Sequence, residues 1–270
     1  MALDPAQPIG IFDSGIGGLT VAKALVEQLP HENIIYFGDT THLPYGDKSV
    51  AAIQAYSIKI ANMLLQQNCK LILIACHTAS SASFELVNEY VGGKALVMNV
   101  IDPIVHHLQK SYAKKCLGLI GTKLTVNSNI YKKRIDALNI DITLKSQATP
   151  LLAAAIEEFH QKKVVDSILH EYLSQNTLDG IEALILGCTH YPVVKKNISA
   201  FYKNKIEIID PSEIVAQNVK KQLKESNLLN KTDTHGSKQL FVSDYTHTFA
   251  ENMRYFFNED IKLEHYPLWD

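Results

Sequence analysis

The chain has 270 residues, 46% of them hydrophobic and 20% charged, with a formal net charge of −2. That length suits one large domain or two smaller ones with a core each, and so mild a charge gives no reason to expect nucleic acid or an anionic membrane surface as a partner. No run approaches the roughly 18 apolar residues that a bilayer crossing needs, and MALDPAQPIG lacks the basic start and apolar core of a signal peptide, so the expected location is cytoplasmic.

In chain order, short apolar runs alternate with segments of helical period. IGIF (9–12) is a predicted strand, followed by a Gly-rich turn and a helix over TVAKALVEQL (20–29). NIIYF (33–37) is a second strand. Val50, Ile53, Tyr56, Ile60 and Leu64 recur at three- and four-residue steps, which predicts an amphipathic helix over 50–65. KLILIA (70–75) is a continuous apolar run, the mark of a strand covered on both faces. ALVMNVI (95–101) and CLGLIG (116–121) each lead from a strand into a helix, and 150–176 carries two helical stretches. ALILG (183–187), IEIID (206–210) and QLFVSD (239–244) are strands that each precede a helix, and IKLEHYPL (261–268) is a final run. Alternating βα units with apolar strands predict an α/β fold with parallel sheets.

A faint internal repeat divides the chain. LILIACHT (71–78) echoes LILGCTH (184–190), VIDP (100–103) echoes IIDP (208–211), and IGIFDSG (9–15) is matched by LGLIGTK (117–123). The expected organisation is two homologous α/β lobes, one formed by residues 1–98 plus 211–270 and the other by 99–210. The chain would cross between them near 98–103 and 208–211.

None of the four cysteines lies in a C-x-x-C pair, so thiols are expected rather than a disulfide framework or a zinc site. Cys69 and Cys116 open their strands, the wrong end for a site, and read as structural. Cys76 and Cys188 close theirs, where ligands bind in open α/β sheets. One such cysteine alone would read as a small buried hydrophobe. Two in equivalent places of repeated lobes, each with a threonine within two positions, point to chemistry. Racemising an amino acid requires a base to take the Cα proton from one face and an acid to return one to the other, with the roles exchanged in reverse. A thiol, with an ordinary pKa of about 8.5, can serve in both roles, provided the pair stays too far apart to join.

Asp13, closing the first strand, could orient Cys76 or accept its proton; its other reading is a turn or capping residue. His190, two residues after Cys188, could act likewise, or cap the segment before Pro192. Glu157, in PLLAAAIEEF, reads from the residues alone as a solvated helix position. Gly15, Gly17 and Gly18 do not spell G-x-G-x-x-G, and no G-K-[ST] follows. A turn whose amides approach a substrate carboxylate is expected there. No histidine spacing fits a metal.

FDSGIGGLTV (12–21), YFGDTTHLPYG (36–46), ACHTAS (75–80), GTKLTVNSNIY (121–131) and LGCTHYP (186–192) together resemble the glutamate racemases of the aspartate/glutamate racemase superfamily. The resemblance runs from about residue 8 to 212 and implies two pseudo-symmetric lobes with the active site between them. It further implies a two-base mechanism without pyridoxal phosphate or metal, no other cofactor, a bacterial cytoplasmic enzyme supplying D-glutamate for peptidoglycan, and a homodimer. Cys76 would take the proton from D-glutamate and Cys188 from L-glutamate, supported by Asp13 and His190 respectively, with Glu157 on the Cys188 side. Ser14, Thr78, Thr122, Thr189 and the Pro44–Tyr45–Gly46 turn, with Tyr45 itself, match positions that hold the substrate.

Three departures stand out. His77 occupies a position where the family usually has a substrate-holding Asn, and is bulkier and titratable; Thr149 replaces a common Cys, a change expected to be neutral; and Pro211–Ser212 replaces a Ser-Gly. His77 keeps open the alternative of an aspartate or broad-specificity racemase. A non-catalytic amino-acid-binding protein is a more distant alternative, because both cysteines and both supporting residues are present; a single-thiol hydrolase would leave the second Cys-Thr element unexplained.

Overall fold

Two separate parallel sheets, with helices on their faces, account for the alternating runs. The computed structural model describes residues 3–158, 162–245 and 263–270. The chain begins β1 (Ile9–Asp13), α1 (Leu19–Gln28), β2 (Ile34–Gly38), α2 (Val50–Gln66), β3 (Leu71–Ile74), α3 (His77–Val91), β4 (Leu96–Asn99) and α4 (Ile101–Ser111). It continues β5 (Cys116–Gly121), α5 (Lys123–Asn127), α6 (Ile130–Ala137), β6 (Thr143–Ala148), α7 (Leu152–Glu158), α8 (Lys162–Leu173), β7 (Ala183–Gly187), α9 (Lys195–Phe201) and β8 (Glu207–Ile209). α10 (Pro211–Glu225), β9 (Lys238–Val242) and β10 (Leu263–His265) follow. The larger sheet has the order β10-β9-β2-β1-β3-β4 and the smaller β6-β5-β7-β8, every pairing parallel.

The central strands are buried along their whole length, IGIFD, IIYFG, LILI and ALILG alike, because helices cover both faces. Each of Ile9, Ile11 and Phe12, wholly removed from water, is worth about 1.5–3 kcal/mol by burial. β6 has no counterpart among the sequence expectations. Its residues TLKSQA are half-exposed at the edge of the smaller sheet, so no apolar run marks it. The helix expected after QLFVSD lies outside the described residues.

Register sets where the chemistry falls. Phe12 pairs with Ile74, and Gly121 with Gly187, so Asp13 closes β1, Thr122 and Cys188 directly follow β5 and β7, and Cys76 lies two residues past β3, all at the carboxyl ends of their strands. A single core cluster joins the sheets, from Ile11 and Leu73 through Val215 and Val219 of α10 to Leu119 and Ile185. The two Asp-Pro echoes are not equivalent. Asp210 caps α10, its Oδ1 accepting the Ser212 amide at 3.0 Å. Asp102 lies inside the first turn of α4, where Asn99 Oδ1 accepts the Ile101 and Asp102 amides at 2.8 and 2.9 Å. Among the described residues no helix is long and apolar enough to cross a membrane.

Candidate active site

β1 delivers Asp13 into the junction between the sheets, fully buried. Its Oδ2 accepts the Gly15 amide at 3.0 Å and its Oδ1 the Thr189 hydroxyl, from the other sheet, at 3.2 Å. Burial raises its pKa; the charge on His190 and the amides of Gly15 and Gly18 oppose the rise, and the charge on Glu157 adds to it. The Gly15 and Gly18 amides are thus turned toward Asp13 rather than toward a free anion site. The glycines serve close approach. A Cβ at Gly17 would lie 2.5 Å from both His190 Nδ1 and Thr189 Oγ1, and one at Gly15 would lie 2.7 Å from Glu157 Oε1.

Cys76 is the N-cap of α3. Its Sγ accepts the Ala79 amide at 3.5 Å and lies 3.7 Å from Ser14 Oγ. Burial, then the charge on Asp13, pushes this thiol up to about 12, against the Ala79 amide and Ser14, and Cys188 is close enough for its charge to contribute. Among the described residues no hydrogen bond joins Asp13 to Cys76; the carboxylate acts on the thiol through its field. His77 follows, buried, and burial pushes its imidazole down to about 3. It is therefore neutral at neutral pH. Among the described residues neither His77 ring nitrogen has a partner, and the ring stacks on Tyr131 at 6.3 Å and 15°. Thr78 Oγ1 lies 2.9 Å from Thr122 Oγ1, a second contact across the sheets.

On the other side, Cys188 Sγ lies 3.6 Å from His190 Nδ1, and His190 Nε2 lies 3.1 Å from Glu157 Oε2. Burial would lower the pKa of His190, but hydrogen bonds and charge from Cys188 and Glu157 outweigh it and hold the imidazole well above its usual value. Glu157 is only 9% exposed and aimed at His190, which corrects its reading as a solvated residue. The local signal was a carboxylate directly after the apolar run LLAAAI, on a helix whose Leu152, Ala153 and Ala155 are buried. Thr149, expected to be a neutral replacement, uses its hydroxyl: Oγ1 donates to Gly121 O at 3.1 Å and lies 2.5 Å from the Tyr191 hydroxyl, tying the end of β5 to the segment after Cys188.

Pro44 leads into a 3₁₀ turn at Tyr45–Asp47. The Tyr45 hydroxyl donates to Asp39 Oδ2 at 2.6 Å, so it is already engaged, and a Cβ at Gly46 would meet that of Thr122 at 3.0 Å. Asp39 and two supporting side chains escaped the sequence reading. The Tyr36 hydroxyl donates to Gly15 O at 2.6 Å, and Thr20 Oγ1 donates to Gly17 O and Thr189 O at 2.8 and 3.1 Å.

Thiols from two parallel sheets that meet at one junction, each with an acid or base behind it, define an isomerase built for proton transfer. The Asp/Glu/Hydantoin racemase profile matches residues 9–219, and the chain belongs to that family. It is 39% identical over 246 residues to glutamate racemase 3 of Caldanaerobacter subterraneus, spanning 90% of this chain and 88% of the relative. It is 38% identical over 239 residues to the glutamate racemase of Neisseria meningitidis, 88% of each chain. Among solved structures, the glutamate racemase of Francisella tularensis in complex with D-glutamate superposes with a TM-score of 0.89 at 37% identity, covering 98% of this chain and 99% of that one. A glutamate racemase isoform of Bacillus anthracis gives 0.91 at 30% identity, covering 96% and 97%.

Proposed function

We propose that the chain interconverts L- and D-glutamate by proton transfer at Cα between two thiols, without a cofactor, and so supplies D-glutamate for peptidoglycan in a bacterial cytoplasm. The observation that carries this reading is the pair of cysteines at equivalent strand ends, within electrostatic reach of each other, one beside Asp13 and the other beside His190 and Glu157. The relatives named glutamate racemase support glutamate over aspartate.

In the L-to-D direction Cys188, as thiolate, takes the Cα proton. The Cα–H electron pair delocalises into the α-carboxylate, and the Cys76 S–H bond breaks as its proton adds to the opposite face. The reverse reaction exchanges the roles. The resting state suits the L enantiomer, with Cys76 protonated by burial and His190 charged beside Cys188. Ser14, Thr78, Thr122, Thr189, His77 and the Pro44–Gly46 turn are the proposed substrate contacts. Cys76 and Cys188 are only 5% and 6% exposed, so the proposed lobes, 1–98 plus 211–270 and 99–210, part to admit substrate. A recess of about 570 Å³ beside Gly46 is lined by Asp47, Lys48 and Lys123. A homodimer is the proposed assembly.

The test is incubation of the protein with L-glutamate in D₂O without added cofactor. Loss of optical activity with deuterium uptake at Cα is expected. Unchanged rotation and no exchange would reject glutamate, and the same failure with L-aspartate would leave an amino-acid-binding protein.

A further inference from the structure

The part of the chain beyond the family match bears on the site through one buried carboxylate. Asp39, at the end of β2, has no exposed surface. Among the described residues, four side chains from three separate stretches of chain converge on it. Oδ2 accepts from Tyr45 Oη at 2.6 Å and faces His42 Nδ1 at 3.0 Å. Oδ1 accepts from Ser243 Oγ at 2.9 Å and from Trp269 Nε1 at 2.8 Å. Trp269 also packs edge-on against His42 at 4.5 Å, with Lys59 Nζ 4.7 Å from its ring centre.

We propose that Asp39, held by Trp269 and Ser243, is a positioning residue that sets the Pro44–Gly46 turn over the substrate site. A buried carboxylate is tolerated only when its oxygens are fully hydrogen-bonded, and such charge-assisted bonds are short and directional. Removing one donor therefore unsettles the others, Tyr45 among them. The turn transmits the shift, because Gly46 rests on Thr122 with no room for a Cβ, and Thr122 contacts Thr78 on the helix that Cys76 caps. The Asp39 backbone amide meanwhile donates to Asp13 O at 2.9 Å. None of these groups exchanges a proton with substrate. Their loss weakens substrate holding more than proton transfer.

The inference rests on the racemase reading, and its test separates the two. Asp39→Asn keeps the shape but turns an amide toward donors; Trp269→Phe removes the indole N–H together with part of the ring that packs on His42 and Tyr56. Each is expected to raise KM for glutamate about tenfold with little change in kcat, and the double variant to raise it no more than the larger single effect. Ile53→Val, a buried change on α2, is the control for general destabilisation and is expected to leave KM unchanged. KM within twofold of the parent in Trp269→Phe, or an equal rise in Ile53→Val, overturns the proposal, and Trp269→Phe alone decides if Asp39→Asn does not fold. A parent inactive on glutamate would reject the racemase reading instead. The emission of Trp269, the only tryptophan in the chain, needs no substrate: a red shift in Asp39→Asn is expected, and an unchanged maximum overturns the proposal whether or not glutamate turns over.

Discussion

Replacing His77 by Asn removes one titratable group from a site where burial holds it neutral. In the folded protein His77 takes a proton only near pH 3, whereas its ordinary value is 6.5. The unfolded chain therefore binds a proton that the folded chain refuses as the pH drops below 6.5. The folded-state value is depressed, so the contribution is complete above 6.5 and is lost as the pH falls toward 3. At 1.36 kcal/mol per unit the loss is about 2 kcal/mol at pH 5 relative to pH 8. Urea unfolding of the parent and His77→Asn at both pH values measures it. The variant starts from a different stability, because a smaller side chain leaves the Tyr131 stack, but that offset is common to both pH values. His190 works in the opposite sense: its value is raised, so its contribution is present below 6.5 and fades as the pH rises through its folded value. Being present in both proteins, it cancels. The parent is expected to lose about 2 kcal/mol more than His77→Asn between pH 8 and pH 5. Equal losses would show that the folded protein protonates His77 and would refute the reasoning.

Replacing either Cys76 or Cys188 with Ala should lower racemisation at least about 10³-fold by removing the acid or base on one face, measured by polarimetry; substantial activity in either would sink the two-thiol mechanism. Glu157→Gln removes the charge, and weakens the hydrogen bond, that keep His190 protonated. It should lower kcat/KM about 10²-fold, equally in both directions because enantiomers have equal energy, and move the alkaline limb of the pH profile to lower pH. Gly17→Ala places a Cβ 2.5 Å from His190 Nδ1 and Thr189 Oγ1, and an ångström of misplacement there should cost about 10²-fold in kcat. Far from the site, Lys70 and Glu32 form a buried ion pair at 2.5 Å. Lys70→Met leaves Glu32 buried without a counter-charge and should destabilise the protein by about 3–5 kcal/mol, with Glu32→Leu on top restoring most of it; urea midpoints check both.

The strands and the two cysteines were legible from local pattern. A strand covered on both faces must be apolar throughout, so IGIF, KLILIA and ALILG announce themselves, and the residue after such a run stands at the end where ligands bind. β6 was not legible, because an edge strand with exposed side chains needs no apolar run. The supporting residues were legible only in part. Asp13 and His190 adjoin strand ends, but Glu157 gains its role from a histidine 33 positions away, and Asp39 from a tryptophan 230 positions away. The neutral state of His77 depends on a lining contributed by other segments, including Tyr131. By itself the sequence determined the period of each segment and hence the sheets and their ends, because backbone geometry and burial act over a few residues. Only the tertiary structure decided which side chains share a proton and which carboxylate holds a turn, because those energies depend on what the rest of the chain brings within a few ångströms and on how fully it excludes water.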